Sequence, residues 1–344
     1  MDRLRVGVVG ASGYSGAVAT RILAGHPRVT LAFATSDRHA GQAVGAHLGL
    51  AVDPGVTFVP NATALDQVDA CDAVLLATAA DVSMRLVPAF AERGKQVVDL
   101  SGAFRLAASD YPRWYGLEHS APTWLDRAHY GLPELFGPPP QGVTIVSNPG
   151  CYPTAALLAL APLVRAGLVE PRGIVVDAKS GVTGAGRQTT ESFSFAEVDG
   201  DVRAYKVLTH QHTPEIVRGL SRLADGVTLT FTPHLLPVAR GLIATCYARP
   251  RAGVDAAQVQ ACLRTAYEGA AFVRVVTSEQ VMLKRVVGTN LALVGASANE
   301  DVVVAVGAID NLVKGAAGQA VQNLSLMNGW PESLGLDALP RVAP

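Results

Sequence analysis

The stretch LRVGVVGASGYSGAVATRILAGHP, residues 4–27, narrows the folding options more than any other part of the chain. A continuous apolar run ends in glycine, and Gly10, Gly13 and Gly16 lead into a segment that stops near Gly25 and Pro27. That order predicts a buried strand, a tight glycine turn and a helix. The runs VTLAFATS, CDAVLLATA and QVVDLSG are also continuous rather than alternating, as in strands covered on both faces. VSMRLVPAFAERG, between the last two, has helical spacing. Strands alternating with helices over the first ~145 residues predict an α/β domain on a doubly wound parallel sheet.

After Cys151 the pattern changes. GIVVDAKS, VTLTFTPHLLPV, LIATCYARP and FVRVV read as strands with few helices between them, which predicts an α+β domain on a mixed or antiparallel sheet. AIDNLVKGAAGQAVQNLSLMNG then reads as an amphipathic helix with Gly329 beyond its end. The Pro-rich GPPPQG, residues 137–142, reads as a surface loop near the boundary, so the first domain is expected over 1–148 and the second over 149–309. A chain of 344 residues with 49% apolar and 17% charged residues can bury a core in each.

Net charge is -1 and the pI is near 6.7, which argues against nucleic acid or an anionic membrane as partner. Residues 135–164 carry no charge but hold six prolines, so they do not read as a membrane span. The start MDRLRVGVVG reaches glycine too soon for a secretory leader. The four cysteines are scattered, with no CxxC pair and no zinc spacing, so a reducing cytoplasm and no metal are expected. The partner expected is a small molecule.

The glycine loop Gly10-Ala-Ser12-Gly13-Tyr14-Ser15-Gly16 lies where a Rossmann-type sheet holds a dinucleotide pyrophosphate at a helix N-terminus. Its spacing is GxxGxxG, and a plain strand-to-helix turn is the alternative. The second strand ends at Thr35-Ser36-Asp37-Arg38. An acid there would bind a ribose 2′-OH and favour NAD, whereas Ser36 and Arg38 would hold a 2′-phosphate. NADP is the expectation.

In SNPGCYPTAALLAL, residues 147–160, a cysteine sits between a glycine and a helix with Pro153 in its first turn. A helix N-terminus stabilises a thiolate, and its N–H groups can hold an oxyanion. Cys151 is therefore the expected nucleophile, while Cys71, Cys246 and Cys262 are taken as inert. KVLTHQHTPEI supplies His210 and His212; His210 is expected as the acid/base and His212 as an orienting group. No nearby carboxylate or cysteine completes a metal half-site with them. DAKSGVTGAGR, residues 177–187, offers Lys179, Ser180 and Arg187 to an anionic substrate. A dinucleotide site with an activated thiol and a histidine points to redox chemistry through a thioester.

GASGYSG, DLSGAFRL, YGLPEL, SNPGCYPTA, DAKSGVTGAGR, AYKVLTHQHTPEI, FTPHLLPVARG and DNLVKGAAGQAVQNLSLMNG occur in order from residue 10 to 329. Together they resemble the N-acetyl-gamma-glutamyl-phosphate reductases, relatives of the aspartate-semialdehyde dehydrogenases. The resemblance implies NADPH-dependent reduction of N-acetyl-L-glutamyl 5-phosphate to the 5-semialdehyde with phosphate release, in arginine biosynthesis. A sister acyl-phosphate reductase, acting on aspartyl phosphate or a carrier-bound aminoadipyl phosphate, is the alternative. It also implies a homo-oligomer, dimer or tetramer, and a first domain rejoined by residues from about 310 to 344. Gly184 and Asn311 fall among its cofactor-binding positions, and Arg105, Ser180, Arg187, Glu197, Glu215 and Arg240 among those for substrate. Three departures stand out: Gly102-Ala103 where the family has Ala-Asp, Gln211 where Arg is common, and Ala80 where His is frequent. They bear on substrate affinity and specificity.

Overall fold

The structure, a computed structural model, describes residues 3–53, 55–187 and 195–337. The chain divides into two compact units. One comprises the residues up to Pro149 together with those from Ala316 on, the other Gly150–Gly315. The expected rejoining segment therefore has residues 338–344 outside the described residues.

The first unit opens with β1 (Leu4–Val9), α1 (Tyr14–Ala24), β2 (Val29–Thr35), α2 (Val44–Leu48) and β3 (Phe58–Val59). It continues as β4 (Ala73–Leu76), α3 (Ala80–Ala91), β5 (Gln96–Asp99), α4 (Tyr111–Tyr115), β6 (Ala128–Tyr130), α5 (Pro133–Phe136) and β7 (Ile145–Ser147). The strands are ordered β3-β2-β1-β4-β5-β7-β6 and all pair in parallel, as the unbroken apolar runs predicted. Val6, Val8, Val74, Leu75, Val97 and Val98 have no exposed surface, so both faces of these strands are covered. Strand order reverses between β1 and β4, which opens a crevice at their carboxyl ends. The glycine loop occupies that place.

The second unit begins with α6 (Cys151–Arg165) and runs through β8 (Ile174–Gly181), α7 (Phe195–Val198), β9 (Arg203–Ala204), α8 (His212–Ser221), β10 (Leu229–Leu236), β11 (Leu242–Ala248), α9 (Ala256–Ala266), β12 (Val273–Val275), β13 (Ala292–Ala298) and β14 (Val303–Ile309). The sheet order is β12-β13-β14-β11-β8-β10-β9. It is mixed, with β12–β13 and β8–β10 parallel and the other pairings antiparallel. α6, α8 and α9 pack on this sheet, and α6 is buried at every residue from Tyr152 to Val164.

The segment after β14 differs from the single amphipathic helix expected from residue 308. Ala308 and Ile309 finish the strand, and Asp310 then turns the chain. Its Oδ1 accepts the N–H groups of Leu312 and Val313 at 2.8 and 3.1 Å. A π-helical turn follows at Val313–Ala317, closed by Gly315 N–H on the Asp310 carbonyl at 2.9 Å. Only then does α10 (Gly318–Met327) begin, back in the first unit. It is buried from Gly318 to Ser325, because it packs against α1 and β5, and some of its polar side chains find partners there. Asn323 Nδ2, for instance, donates to Gly131 O at 2.9 Å and Asn148 Oδ1 at 3.0 Å.

Candidate active site

The thiol site is built where α6 starts. Cys151 is the first helical residue and is half-buried; Gly150 is the N-cap and supplies no side-chain cap. Glu215, in the first turn of α8 and 1% exposed, accepts the Gly150 N–H at 2.8 Å through Oε1. An acceptor on the N-cap amide fixes the approach to the helix mouth. From the other side Gly315 packs against the cysteine: a Cβ on Gly315 would stand 2.7 Å from Cys151 Cβ. The π-helical turn therefore needs glycine at that place.

Beside the thiol lies an aromatic cluster that sequence reading missed in part. Tyr152 and Tyr205 share a hydroxyl–hydroxyl hydrogen bond of 3.0 Å. Burial pushes both phenols up. The adjacency of Tyr152 to Cys151 and the AYK run were the available signals.

Four rings surround His210 edge-on: Tyr152 at 5.5 Å, Tyr205 at 5.7 Å, Phe231 at 5.3 Å and His212 at 4.8 Å between centroids. Its Nδ1 accepts the His212 N–H at 3.1 Å, so the neutral ring carries its proton on Nε2. Burial lowers its pKa to about 3, with Lys206 adding to the shift. The loop before it is strained, for Lys206 and Leu208 hold positive φ angles of 44° and 60°. His212 is half-buried and starts α8.

The anion-binding candidates separate by location. Ser180 is 1% exposed, donates to Gly181 O at 3.1 Å and also meets the Tyr152 hydroxyl. Lys179 points to the sheet face opposite Ser180 by strand alternation and pairs with Asp177 at 2.6 Å. Arg240 is held on buried Asp310 at 3.0 Å. Arg105, in the first unit, is 6% exposed and donates to Asn148 O at 2.8 Å and Leu100 O at 2.7 Å. Arg187, Gly184 and Glu197 are exposed. Asn311 donates to Thr183 Oγ1 at 3.0 Å and accepts from Gly241 N–H at 2.8 Å, which ties down the loop around Gly184. Ala103 is fully buried beside Phe104 and Tyr111.

The other cysteines differ from Cys151. Cys71 and Cys246 have no exposed surface; burial pushes Cys71 up to about 11 and raises Cys246 and Cys262 as well. Among the described residues no group of three or more His, Cys, Asp or Glu could hold a metal ion. No helix of the described residues is long and apolar enough to cross a membrane.

In the first unit, Gly10 takes φ +80°, and a Cβ on Gly16 would lie 2.2 Å from Gly10 O, so α1 approaches the turn as only glycine allows. α1 has Gly13 as N-cap, no side-chain cap and no acid in its first turn. Those features fit a pyrophosphate. Ser36 Oγ donates to Ser12 Oγ at 2.8 Å, joining the tip of β2 to the glycine loop. Asp37 is turned elsewhere: its carboxylate accepts Asn61 N–H at 2.7 Å and Asn61 Nδ2 at 2.8 Å. Arg38 is exposed and makes no hydrogen bond or ion pair among the described residues.

Comparison with known proteins agrees with this geometry. Family models match at residues 5–139 (semialdehyde dehydrogenase, NAD binding domain) and 151–311 (semialdehyde dehydrogenase, dimerisation domain). N-acetyl-gamma-glutamyl-phosphate reductases of Magnetococcus marinus and Geobacillus stearothermophilus are 43% and 44% identical over 98% of this chain, and cover 98% and 99% of their own lengths. The chain belongs to the N-acetyl-gamma-glutamyl-phosphate reductase family. It is an oxidoreductase with a nicotinamide cofactor, and its second unit carries the family's dimerisation domain. Aspartate semialdehyde dehydrogenase II of Vibrio cholerae, a solved structure with its ASA ligand, shares the fold at a TM-score of 0.72 and 19% identity, covering 96% of this chain and 99% of its own.

Proposed function

We propose that the chain reduces N-acetyl-L-glutamyl 5-phosphate to N-acetyl-L-glutamate 5-semialdehyde, with NADPH as reductant and phosphate released, in arginine biosynthesis. The observation that carries this reading is Cys151 as the uncapped first residue of buried α6, with Glu215 fixing the amide before it. The first unit serves as the cofactor domain and the second as the catalytic and oligomerisation domain of a dimer or tetramer. All four cysteines are free thiols, as a reducing cytoplasm keeps them.

Cys151 Sγ attacks the acyl carbon of the substrate, the bond to the phosphate oxygen breaks, and phosphate leaves with a proton as the thioester forms. The bound nicotinamide supplies the hydride that reduces this thioester. The resulting oxyanion expels the thiolate again as the aldehyde forms, so its oxygen needs a stable donor and not a proton. His210, neutral and presenting Nε2–H, has that character. His212, less buried, is left to protonate the departing phosphate, which reverses the roles expected from sequence. Arg105, Arg187 and Arg240 are the guanidinium groups assigned to substrate anions.

NADPH rather than NADH is supported by Arg38, unengaged at the tip of β2, and by Asp37, which Asn61 holds. The test is phosphate-dependent reduction of NADP with N-acetylglutamate semialdehyde, the reaction run backwards, by the unmodified and Cys151→Ser enzymes. The variant is expected to lose at least about three orders of magnitude in kcat while binding NADPH normally. Full activity in it would remove the covalent mechanism.

A further inference from the structure

We infer that Asn61 is a cofactor-specificity residue: it sequesters the Asp37 carboxylate and so keeps a NAD-type acid away from the ribose edge. The inference rests on the proposed NADP reading. An acidic residue near the end of the second strand of such a sheet ordinarily accepts the ribose 2′-OH, and the same charge repels a 2′-phosphate. This chain has that acid immediately beside Ser36 and Arg38. Its two carboxylate oxygens are both taken by one residue, Oδ1 by the Asn61 N–H at 2.7 Å and Oδ2 by Asn61 Nδ2 at 2.8 Å.

Asn61 is itself fixed from the glycine loop. Gly10 N–H donates to Thr35 Oγ1 at 2.9 Å, and Thr35 Oγ1 donates to Asn61 Oδ1 at 2.5 Å. Thr35 is fully buried, which fixes the inner end of this chain of hydrogen bonds, while the Asp37–Asn61 pair lies at the surface. Asn61 also opens a 3-10 helix, Asn61–Ala70, whose N-terminal N–H favours a negative partner. The acid is thus given a better place than the ribose, and Arg38 remains beside Ser36 without a counter-ion. Neither residue of the Asp37–Asn61 pair need touch the cofactor for the pair to decide which cofactor binds.

The test is binding, read by NADPH and NADH fluorescence and by calorimetry with 2′,5′-ADP and 5′-AMP as fragments with and without the 2′-phosphate. Asn61→Ala, which removes the Nδ2 bond and leaves Asp37 only the backbone N–H, is expected to lower the preference for NADPH over NADH, and for 2′,5′-ADP over 5′-AMP, by about tenfold. Asn61→Asp keeps the size of the side chain and the acceptor for Thr35 while repelling Asp37. It is expected to do the same, and it serves if the alanine variant does not fold. In an Asp37→Ala background the same substitutions are expected to leave the preference unchanged. A preference that survives both single variants, or that falls equally without Asp37, overturns the role of Asn61 while leaving NADP selectivity in place. An unmodified protein that binds NADPH no better than NADH overturns the NADP reading itself.

Discussion

A histidine with four rings around it cannot do what a solvated one does. His210 gains nothing from water when charged, and Lys206 nearby disfavours the charge further. It therefore stays neutral in the folded protein down to about pH 3, while in the unfolded chain it protonates near 6.5. Between those values the unfolded state binds the extra proton, so folding stability falls as pH drops from about 6.5 towards 3. The loss is about 2 kcal/mol at pH 5. His210→Asn is expected to lose that part of the slope, checked by urea midpoints at pH 5 and 7. In catalysis of the forward reaction, where a general acid must keep its proton, the same burial predicts that the alkaline limb of the pH–rate profile persists in His210→Asn and disappears in His212→Asn. The opposite pattern would return the acid/base role to His210. The His-x-His spacing was legible in sequence. Which imidazole could titrate was not, because two residues of separation put both on one side and only packing distinguishes them.

At the scale of elements, the mouth of α6 depends on its neighbour α8. Glu215 is far from Gly150 in sequence, and its carboxylate satisfies an N–H that would otherwise be buried at the entrance to the helix. Glu215→Ala is expected to lower stability by about 1–3 kcal/mol and to reduce kcat, since the thiol's position follows the N-cap. Glu215→Gln, which keeps an acceptor, is expected to recover most of the stability. Thermal unfolding and steady-state kinetics on the two variants check both parts, and equal damage from both would mean that charge and not the hydrogen bond matters. The helix start itself was readable from Gly150 and from Pro153 in the first turn. The break between β14 and α10 was not: AIDNLVKGAAG has helical composition, but Asp310 gathers the N–H groups of Gly288, Leu312 and Val313 and ends the strand in a turn. A long-range acceptor of that kind leaves no periodicity to find.

The whole molecule leaves part of one sheet uncovered. In the second unit, residues of β8 and β11 on the face away from α6 include Val175 and Tyr247, each 38% exposed, around the Asp177–Lys179 pair. A sheet face of this kind within a dimerisation domain is the expected seat of a second copy. Replacing Val175 with Glu and Tyr247 with Asp together is expected to lower the mass measured by light scattering at micromolar concentration, with circular dichroism unchanged. An unchanged mass would place the contact elsewhere. By itself, sequence determined the two sheets, the dinucleotide turn and the family, because each is written in local spacing: unbroken apolar runs, glycines at the turn and motifs in fixed order along the chain. Tertiary structure decided what those groups face. It turned Asp37 onto Asn61, sent Lys179 to the far side of its sheet, enclosed His210 in rings and set Gly315 against Cys151, since orientation and desolvation come from residues distant in the chain.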